Sequence, residues 1–105
     1  MRILFDQGTP VPLRRHLHPH QVDTAAEKGW SELENGELLS ASEGDGYECL
    51  ITTDQNLQYQ QNLDGRKIKI VVLRSTSWPK IQNRIEAIVE VLNKIQIGGY
   101  MEVAI

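Results

Sequence analysis

Runs of consecutive apolar residues constrain this sequence more than any other feature. Ile3, Leu4 and Phe5 follow one another directly, and Ile68–Leu73 is a mostly β-branched stretch interrupted only by Lys69. A strand with one face in water alternates apolar and polar residues, whereas a strand covered on both faces does not. We therefore predict buried strands that belong to a mostly parallel sheet.

The segments between these strands have helical or turn character. Thr9 is a good N-cap and Pro10 suits a first helical position, which predicts a helix to about Leu17 with Val11 and Leu13 facing inward. Apolar spacing predicts a second helix over 35–43 and one long helix over 79–95. Further strands are predicted at 21–24, 47–52 and 100–105. Strands separated by helices indicate an α/β fold, a single domain over residues 1–105 with helices on both faces of the sheet.

Length and composition agree with that prediction. A chain of 105 residues, 40% hydrophobic and 24% charged, has ordinary globular composition. No apolar run approaches the roughly 20 residues of a membrane span, and no charged and then apolar leader opens the sequence. The single cysteine, Cys49, fits a reducing compartment, so we expect a cytoplasmic protein. A formal charge of −3 argues against nucleic-acid binding by bulk attraction but does not exclude a local acidic site.

Two carboxylates follow predicted strands and are candidates for a metal site. Asp6 comes directly after the first strand, and Asp54 comes just after the third. Ligands of parallel sheets bind beyond the carboxyl ends of the strands, where the strand order reverses. If these two strands are neighbours, the carboxylates meet there and suit Mg²⁺ or Mn²⁺, with Glu37 as a third acid from the helix across the crevice. The alternative is that both aspartates merely form turns after strands.

Amide and basic residues are candidates for substrate contacts. The segment 55–62 is rich in Gln and Asn, whose side chains both donate and accept hydrogen bonds. Arg14 and Arg15 form one basic cluster, and Arg66, Lys67 and Lys69 form another. The amide segment suits contacts to bases, sugars or a partner backbone, and the basic clusters suit phosphates beside the acidic site. The alternative for each is an ordinary solvated surface.

Several of these residues form a pattern that resembles the small PIN-like domains, relatives of the VapC-type toxin ribonucleases. The pattern is a strand followed by Asp-x-x-x-Pro, then Gly-Trp-x-x-Leu-x-Asn-Gly-Glu-Leu-Leu, then Leu-Ile-Thr-Thr-Asp-x-Asn-Leu. The resemblance covers residues 1 to about 75. It implies a parallel α/β sheet with an Mg²⁺- or Mn²⁺-dependent, RNA-cleaving acidic centre, a small cognate antitoxin and a possible homodimer.

The resemblance also implies roles for individual positions. Asp6 corresponds to the first metal-binding acid and Asp54 to the acid after the third strand. Gln7, Asn35 and Asn56 stand where such domains often have further acids, so three amides replace three possible carboxylates. The substitutions place a two-metal centre in doubt, because an amide neutralises less of a cation's charge.

The sequence thus predicts the toxin of a toxin–antitoxin pair, a metal-dependent endoribonuclease. Asp6, Glu37 and Asp54 would form its catalytic site, with Asp6 and Asp54 holding the metal. Gln7, Arg14, Arg15, Asn35 and Asn56 would assist substrate binding. The alternative is a catalytically degenerate PIN-like domain that binds RNA or protein. A small phosphatase or nucleotide-binding domain is disfavoured because no glycine-rich phosphate loop follows the first strand.

Overall fold

The computed structural model describes residues 1–105 and contains one five-stranded sheet. All neighbouring strands pair in parallel, in the order β2-β1-β3-β4-β5. The strands are β1 (Arg2–Phe5), β2 (Gln21–Thr24), β3 (Cys49–Thr52), β4 (Lys69–Leu73) and β5 (Tyr100–Val103). The predicted α/β class and parallel sheet are confirmed.

Helices cover both faces of the sheet. A 3₁₀ helix (Val11–Leu17) follows β1, and the α-helices are α1 (Asn35–Gly44), α2 (Leu57–Gln60), α3 (Trp78–Gln82) and α4 (Ile85–Lys94). None of these helices has the length and apolar character needed to cross a membrane.

The consecutive apolar residues of β1 divide between two cores. Because successive side chains of a strand point to opposite faces, Ile3 and Phe5 pack with the 3₁₀ helix, α3 and α4, whereas Leu4 packs with α1 and α2. All three residues are fully buried. Burial on both faces explains why the apolar run has no polar alternation.

The sheet reverses its direction of growth at β1. This strand pairs with β2 on one side and with β3 on the other, with Phe5 opposite Thr24 and Ile51. The loops that follow β1 and β3 consequently diverge to opposite faces of the sheet. Such a point at the carboxyl edge of a parallel sheet forms a crevice in which ligands bind.

The segment after β1 differs from the predicted helix. The backbone adopts a 3₁₀ helix whose N-cap is Pro10, and Val11 is 53% exposed rather than inward-facing. Thr9 does not cap this helix, because its hydroxyl lies 2.8 Å from Asp6 Oδ1 and 2.9 Å from the Ile51 carbonyl oxygen. The contact with Ile51 connects the loop after β1 to β3.

The predicted long helix over 79–95 is two helices. The backbone amides of Asn83 and Arg84 bond to carbonyls three residues back, at Lys80 and Ile81, instead of four. Arg84 then has a φ of −123°, outside the helical region. The turn separates α3 from α4 while Ile81 and Ile88 both stay in the core.

Candidate metal and substrate site at the sheet switch point

Asp6 and Asp54 follow the two central strands at the point where the sheet reverses. Asp6 directly follows β1, and its backbone amide donates to the carbonyl of Ile51 at 3.2 Å. Asp54 lies two residues after β3. The parallel pairing of β1 and β3 meets the condition that the sequence analysis left open, and it puts both carboxylates at the same edge of the sheet.

Asp6 is held by threonine hydroxyls. Thr9 donates to Oδ1 at 2.8 Å, and Thr52, which is fully buried, donates to Oδ2. Burial raises the pKa of the Asp6 carboxyl above its ordinary value, and the negative charge of Asp54 adds to the rise. The hydrogen bonds from Thr52, Thr9 and the Gly8 amide oppose it. Proximity to Asp54 and partial burial together make the Asp6 carboxylate receptive to a cation.

Asp54 is held by amides. The side-chain Nδ2 of Asn35 donates to its Oδ2 at 2.7 Å, and the backbone amide of Asn56 donates to its Oδ1 at 3.0 Å. Its own backbone amide donates to Thr52 Oγ1 at 3.0 Å. Since the Thr52 hydroxyl also donates to Asp6, a single buried side chain links the two acids.

No basic side chain neutralises either aspartate. The ion pairs of the chain use Glu27, Glu43, Asp45, Glu90 and Glu102, and none of them includes Asp6 or Asp54. Every side-chain hydrogen bond to the two carboxylates comes from a neutral hydroxyl or amide. The negative charge at this edge is therefore uncompensated within the chain.

Glu37 has a different role in the structure from the one predicted for it. It lies in the first turn of α1, is exposed, and accepts a hydrogen bond from the backbone amide of Glu34 at 3.3 Å. The two glutamates form a reciprocal capping box at the start of the helix. No group of three or more Asp, Glu, His or Cys side chains in the chain is arranged to hold a metal ion.

A cleft of about 170 Å³ opens beside Asp6. Gln7 and Asn35, two of the predicted substrate contacts, line it together with Asp6. The apolar part of its wall includes Trp30 and Leu33. The third predicted amide, Asn56, is exposed and acts through its backbone amide on Asp54.

No protein-family model, curated protein or solved structure matches this chain. Its function is therefore inferred from the chemistry of the two acids, the cleft and their surroundings.

The basic residues near this edge differ in how they are engaged. Arg14 pairs with Glu27 at 3.1 Å, and its Nε is buried without a hydrogen-bond partner. Arg15 is exposed on the 3₁₀ helix. Arg74 directly follows β4, the neighbour of β3, and its Nε lies 3.4 Å from Gln55 Oε1, one residue from Asp54.

Sequence reasoning missed Arg74. The signal that could have found it is its position: it directly follows a predicted buried strand, as Asp6 does. In a parallel sheet, this position places a side chain at the ligand-binding edge.

The donor set fits one hard divalent cation better than two. Mg²⁺ is held by one or two carboxylates with water completing its octahedron, and this edge supplies two carboxylates among neutral hydroxyl and amide groups. Asp6 and Asp54 would be the ligands. With Glu37 engaged in the helix cap, the third acid that a two-metal site needs is missing from the arrangement.

Proposed function

We propose that this protein is a PIN-like endoribonuclease that depends on a single Mg²⁺ or Mn²⁺ ion, and that it acts as the toxin of a toxin–antitoxin pair. The observation that carries the proposal is the pair Asp6 and Asp54. They follow neighbouring parallel strands at the switch point, and only neutral groups donate to them.

Two adjacent carboxylates without a counter-ion are costly to the folded protein. Burial of a charge is unfavourable unless an opposite charge or hydrogen bonds offset it, and two like charges repel. The raised pKa of the Asp6 carboxyl reflects both effects. A bound divalent cation would offset both costs, which is why this arrangement supports a metal-binding function better than a purely structural one.

In this proposal the residues at the sheet edge have three different roles. Asp6 and Asp54 hold the cation, which when bound lowers the pKa of water and offsets the charge that develops on a phosphodiester. Thr9 and Thr52 orient the Asp6 carboxylate, and Asn35 orients that of Asp54. Arg15 and Arg74 supply positive charge for the RNA backbone, since phosphate contacts position a nucleic acid on a protein.

A catalytically inactive PIN-like module is the second candidate, and one contact favours it. The amide of Asn35 occupies Oδ2 of Asp54, an oxygen that a cation would otherwise use. In this function the same edge binds RNA or a protein such as the antitoxin, without cleavage.

Calorimetric titration with Mn²⁺ and cleavage of a mixed-sequence single-stranded RNA separate the two functions. The nuclease requires saturable Mn²⁺ binding that Asp6→Asn and Asp54→Asn each abolish, and RNA cleavage that is lost in both variants. Asp64→Asn is the matched control, because Asp64 is exposed in the turn before β4 and makes no hydrogen bond to Asp6 or Asp54. Its Mn²⁺ binding and cleavage should equal those of the wild type.

Expression without the antitoxin tests the toxin role. We expect growth arrest from the wild type and from Asp64→Asn, and normal growth from Asp6→Asn and Asp54→Asn. Equal arrest from all four chains would contradict the proposal. RNA binding without Mn²⁺ binding or cleavage would instead support the inactive module.

A further inference from the structure

Tyr59 is the only exposed aromatic side chain of the chain. It lies in α2 and is 78% exposed, whereas the other five aromatic residues are buried or half-buried. A tyrosine with that exposure presents at least one face of its ring to solvent. Proteins that bind single-stranded nucleic acid use such faces as surfaces on which unpaired bases stack. Tyr59 therefore has the exposure that base stacking requires.

The short helix that carries Tyr59 is anchored to the rest of the domain. Leu57 is buried in the core that α1 and α2 share. The Nδ2 of Asn35 donates to Gln60 Oε1 at 3.4 Å and to Asp54 Oδ2 at 2.7 Å, so one amide connects α2 to the acidic pair. The side-chain hydrogen bonds of α2 use its glutamines and not the hydroxyl of Tyr59. The fold thus fixes the helix without engaging the tyrosine.

The ring of Tyr59 lies close to Asp54. The backbone amide of Tyr59 donates to the Asn56 carbonyl at 3.0 Å, and the amide of Asn56 donates to Asp54 Oδ1 at 3.0 Å, so the chain turns back between the two residues. Burial and the contact with Glu102 raise the pKa of Tyr100 to about 12, and the negative charges of Tyr59 and Asp54 add to the rise. Charges at a protein surface are largely screened beyond about 10 Å. Both side chains are therefore neighbours of the same phenol.

Amides and one exposed cation accompany Tyr59 at this edge of the sheet. Gln55, Asn56 and Gln60 are exposed, and their side chains both donate and accept hydrogen bonds. The side chain of Arg74 is 53% exposed, and its Nε lies 3.4 Å from Gln55 Oε1. Amides match the edges of unpaired bases, and a guanidinium matches a phosphate.

We propose that Tyr59 is a stacking platform for one unpaired base of RNA beside the acidic pair, so that the protein binds single-stranded RNA in preference to duplex RNA. The inference rests on the proposed function for its substrate class. A duplex keeps its bases paired and stacked on one another, so it offers no base face to Tyr59. Stacking does not depend on which base is bound. The platform therefore selects unpaired RNA without selecting a sequence.

Anisotropy of a short fluorescein-labelled single-stranded RNA of mixed sequence, in EDTA, measures the contribution of the ring. Tyr59→Ala should raise the dissociation constant roughly tenfold, which corresponds to about 1.4 kcal/mol. Tyr59→Phe keeps the ring and should bind as the wild type does. Ile97→Ala is the matched control, because it truncates an apolar side chain that is 76% exposed at the opposite edge of the sheet, and it should leave the affinity unchanged.

Two further RNAs separate stacking from other causes of a weaker affinity. The same strand annealed to its complement should bind equally to the wild type and to Tyr59→Ala. An abasic strand of the same length keeps its phosphates but has no base to stack, so the two proteins should also bind it equally. The substitution and the removal of the bases then form a double-mutant cycle whose non-additivity measures the stacking contact.

Equal affinity of the wild type and Tyr59→Ala for the single strand would overturn the proposal in favour of a protein partner at this ring. Absence of binding by the wild type would also overturn it, as would a loss in Tyr59→Ala that is the same for single-stranded, duplex and abasic RNA. Because these titrations contain no metal, the two proposals fail separately. A ring without effect on binding leaves Mn²⁺-dependent cleavage intact, whereas a failed metal site removes cleavage and leaves the binding that depends on Tyr59.

Discussion

The side-chain amide of Asn35 donates a hydrogen bond of 2.7 Å to Oδ2 of Asp54. Asn35 is the first residue of α1, so this bond connects the start of that helix to the loop after β3. The neutral amide offsets part of the charge at the sheet edge. A carboxylate at the same position would add charge instead, so Asn35 is a position at which one substitution tests the proposed metal site without changing its two proposed ligands.

Asn35→Asp should lower the stability of the protein in EDTA and raise its affinity for Mn²⁺. The variant loses a hydrogen bond to a charged group, worth about 1.5–3 kcal/mol, and gains a repulsion with Asp54. In EDTA its Tm should fall, by roughly 4–8 °C for each kcal/mol lost. Mn²⁺ at one fixed excess concentration should raise the Tm of the variant more than that of the wild type, because the stability added by a ligand that binds the folded state grows with the logarithm of its affinity.

Thermal denaturation with and without Mn²⁺ measures both effects of Asn35→Asp. Gln21→Glu adds one negative charge at an exposed position at the start of β2, at the opposite end of the strands from Asp54, and should change neither the Tm in EDTA nor the Mn²⁺ response. An equal Mn²⁺ response in Asn35→Asp and the wild type would show that Asn35 lies outside the metal site.

The fold class was predictable from the sequence because two of its strands contain runs of consecutive apolar residues. Ile3–Phe5 in β1 and Ile70–Leu73 in β4 are consecutive apolar residues, a pattern that requires cover on both faces of the sheet. The sequence left open whether β1 and β3 are neighbours, because the strand order is set by how the connections cross the sheet. The structure supplies that pairing, and with it the position of Asp6 and Asp54 at one edge of the sheet.

The details that were not predictable depend on local competition between polar groups. Glu37 was expected to reach across the crevice, but the backbone amide of Glu34 lies three residues away and binds it first. Thr9 was expected to cap a helix, but Asp6 and Ile51 offer its hydroxyl partners that are distant in sequence. In both cases two partners of similar strength compete, and the sequence does not indicate which one prevails.

Asp6→Asn should stabilise the protein at neutral pH. The pKa of Asp6 is raised in the folded state, so the folded protein binds its proton more tightly than the unfolded chain does. The stability that this proton contributes is fully present below the ordinary pKa of 3.8 and is lost as the pH rises through the raised value. Asparagine does not ionise, so the variant avoids that loss.

Urea denaturation at several pH values measures the free energy of unfolding for this comparison. The advantage of Asp6→Asn over the wild type should be greatest at pH values above the raised pKa and should shrink as the pH falls toward 3.8. Asp64→Asn, at an exposed position, should show no such trend. An advantage that is independent of pH would mean that desolvation of the Asp6 charge is not its cause.

Thr52→Val should weaken both the fold and Mn²⁺ binding at the proposed metal site. The substitution keeps the shape of the side chain but removes the donor to Asp6 and the acceptor for the Asp54 amide, at a cost of about 1–3 kcal/mol. Losing the Thr52 hydrogen bond should also raise the pKa of Asp6 further, since that bond lowers it. Mn²⁺ binds the ionised carboxylate, so the affinity should fall most in mildly acidic buffer.

Calorimetry at two pH values and urea denaturation check the effects of Thr52→Val. Thr76→Val, at an exposed loop position, provides the control for loss of a hydroxyl. Unchanged Mn²⁺ affinity in Thr52→Val would show that the hydroxyl of Thr52 has a purely structural role.

Arg74→Ala should weaken RNA binding more than Arg14→Ala. The Arg74 side chain is 53% exposed beside Gln55, with only a 4.0 Å approach to Glu102, whereas Arg14 is already paired with Glu27. Loss of one phosphate contact lowers affinity for all sequences and reduces the slope of log K against log salt by about 1. Fluorescence anisotropy of a labelled single-stranded RNA in EDTA, at several salt concentrations, measures that slope.

Lys67→Ala, which removes an exposed cation at the opposite edge of the sheet, is the matched control and should keep the wild-type slope. A wild-type slope in Arg74→Ala, or an equal loss in Arg14→Ala, would contradict this assignment. A loss confined to Arg14→Ala would place the RNA on the side of the crevice that adjoins β2, where the 3₁₀ helix places Arg14 against Glu27.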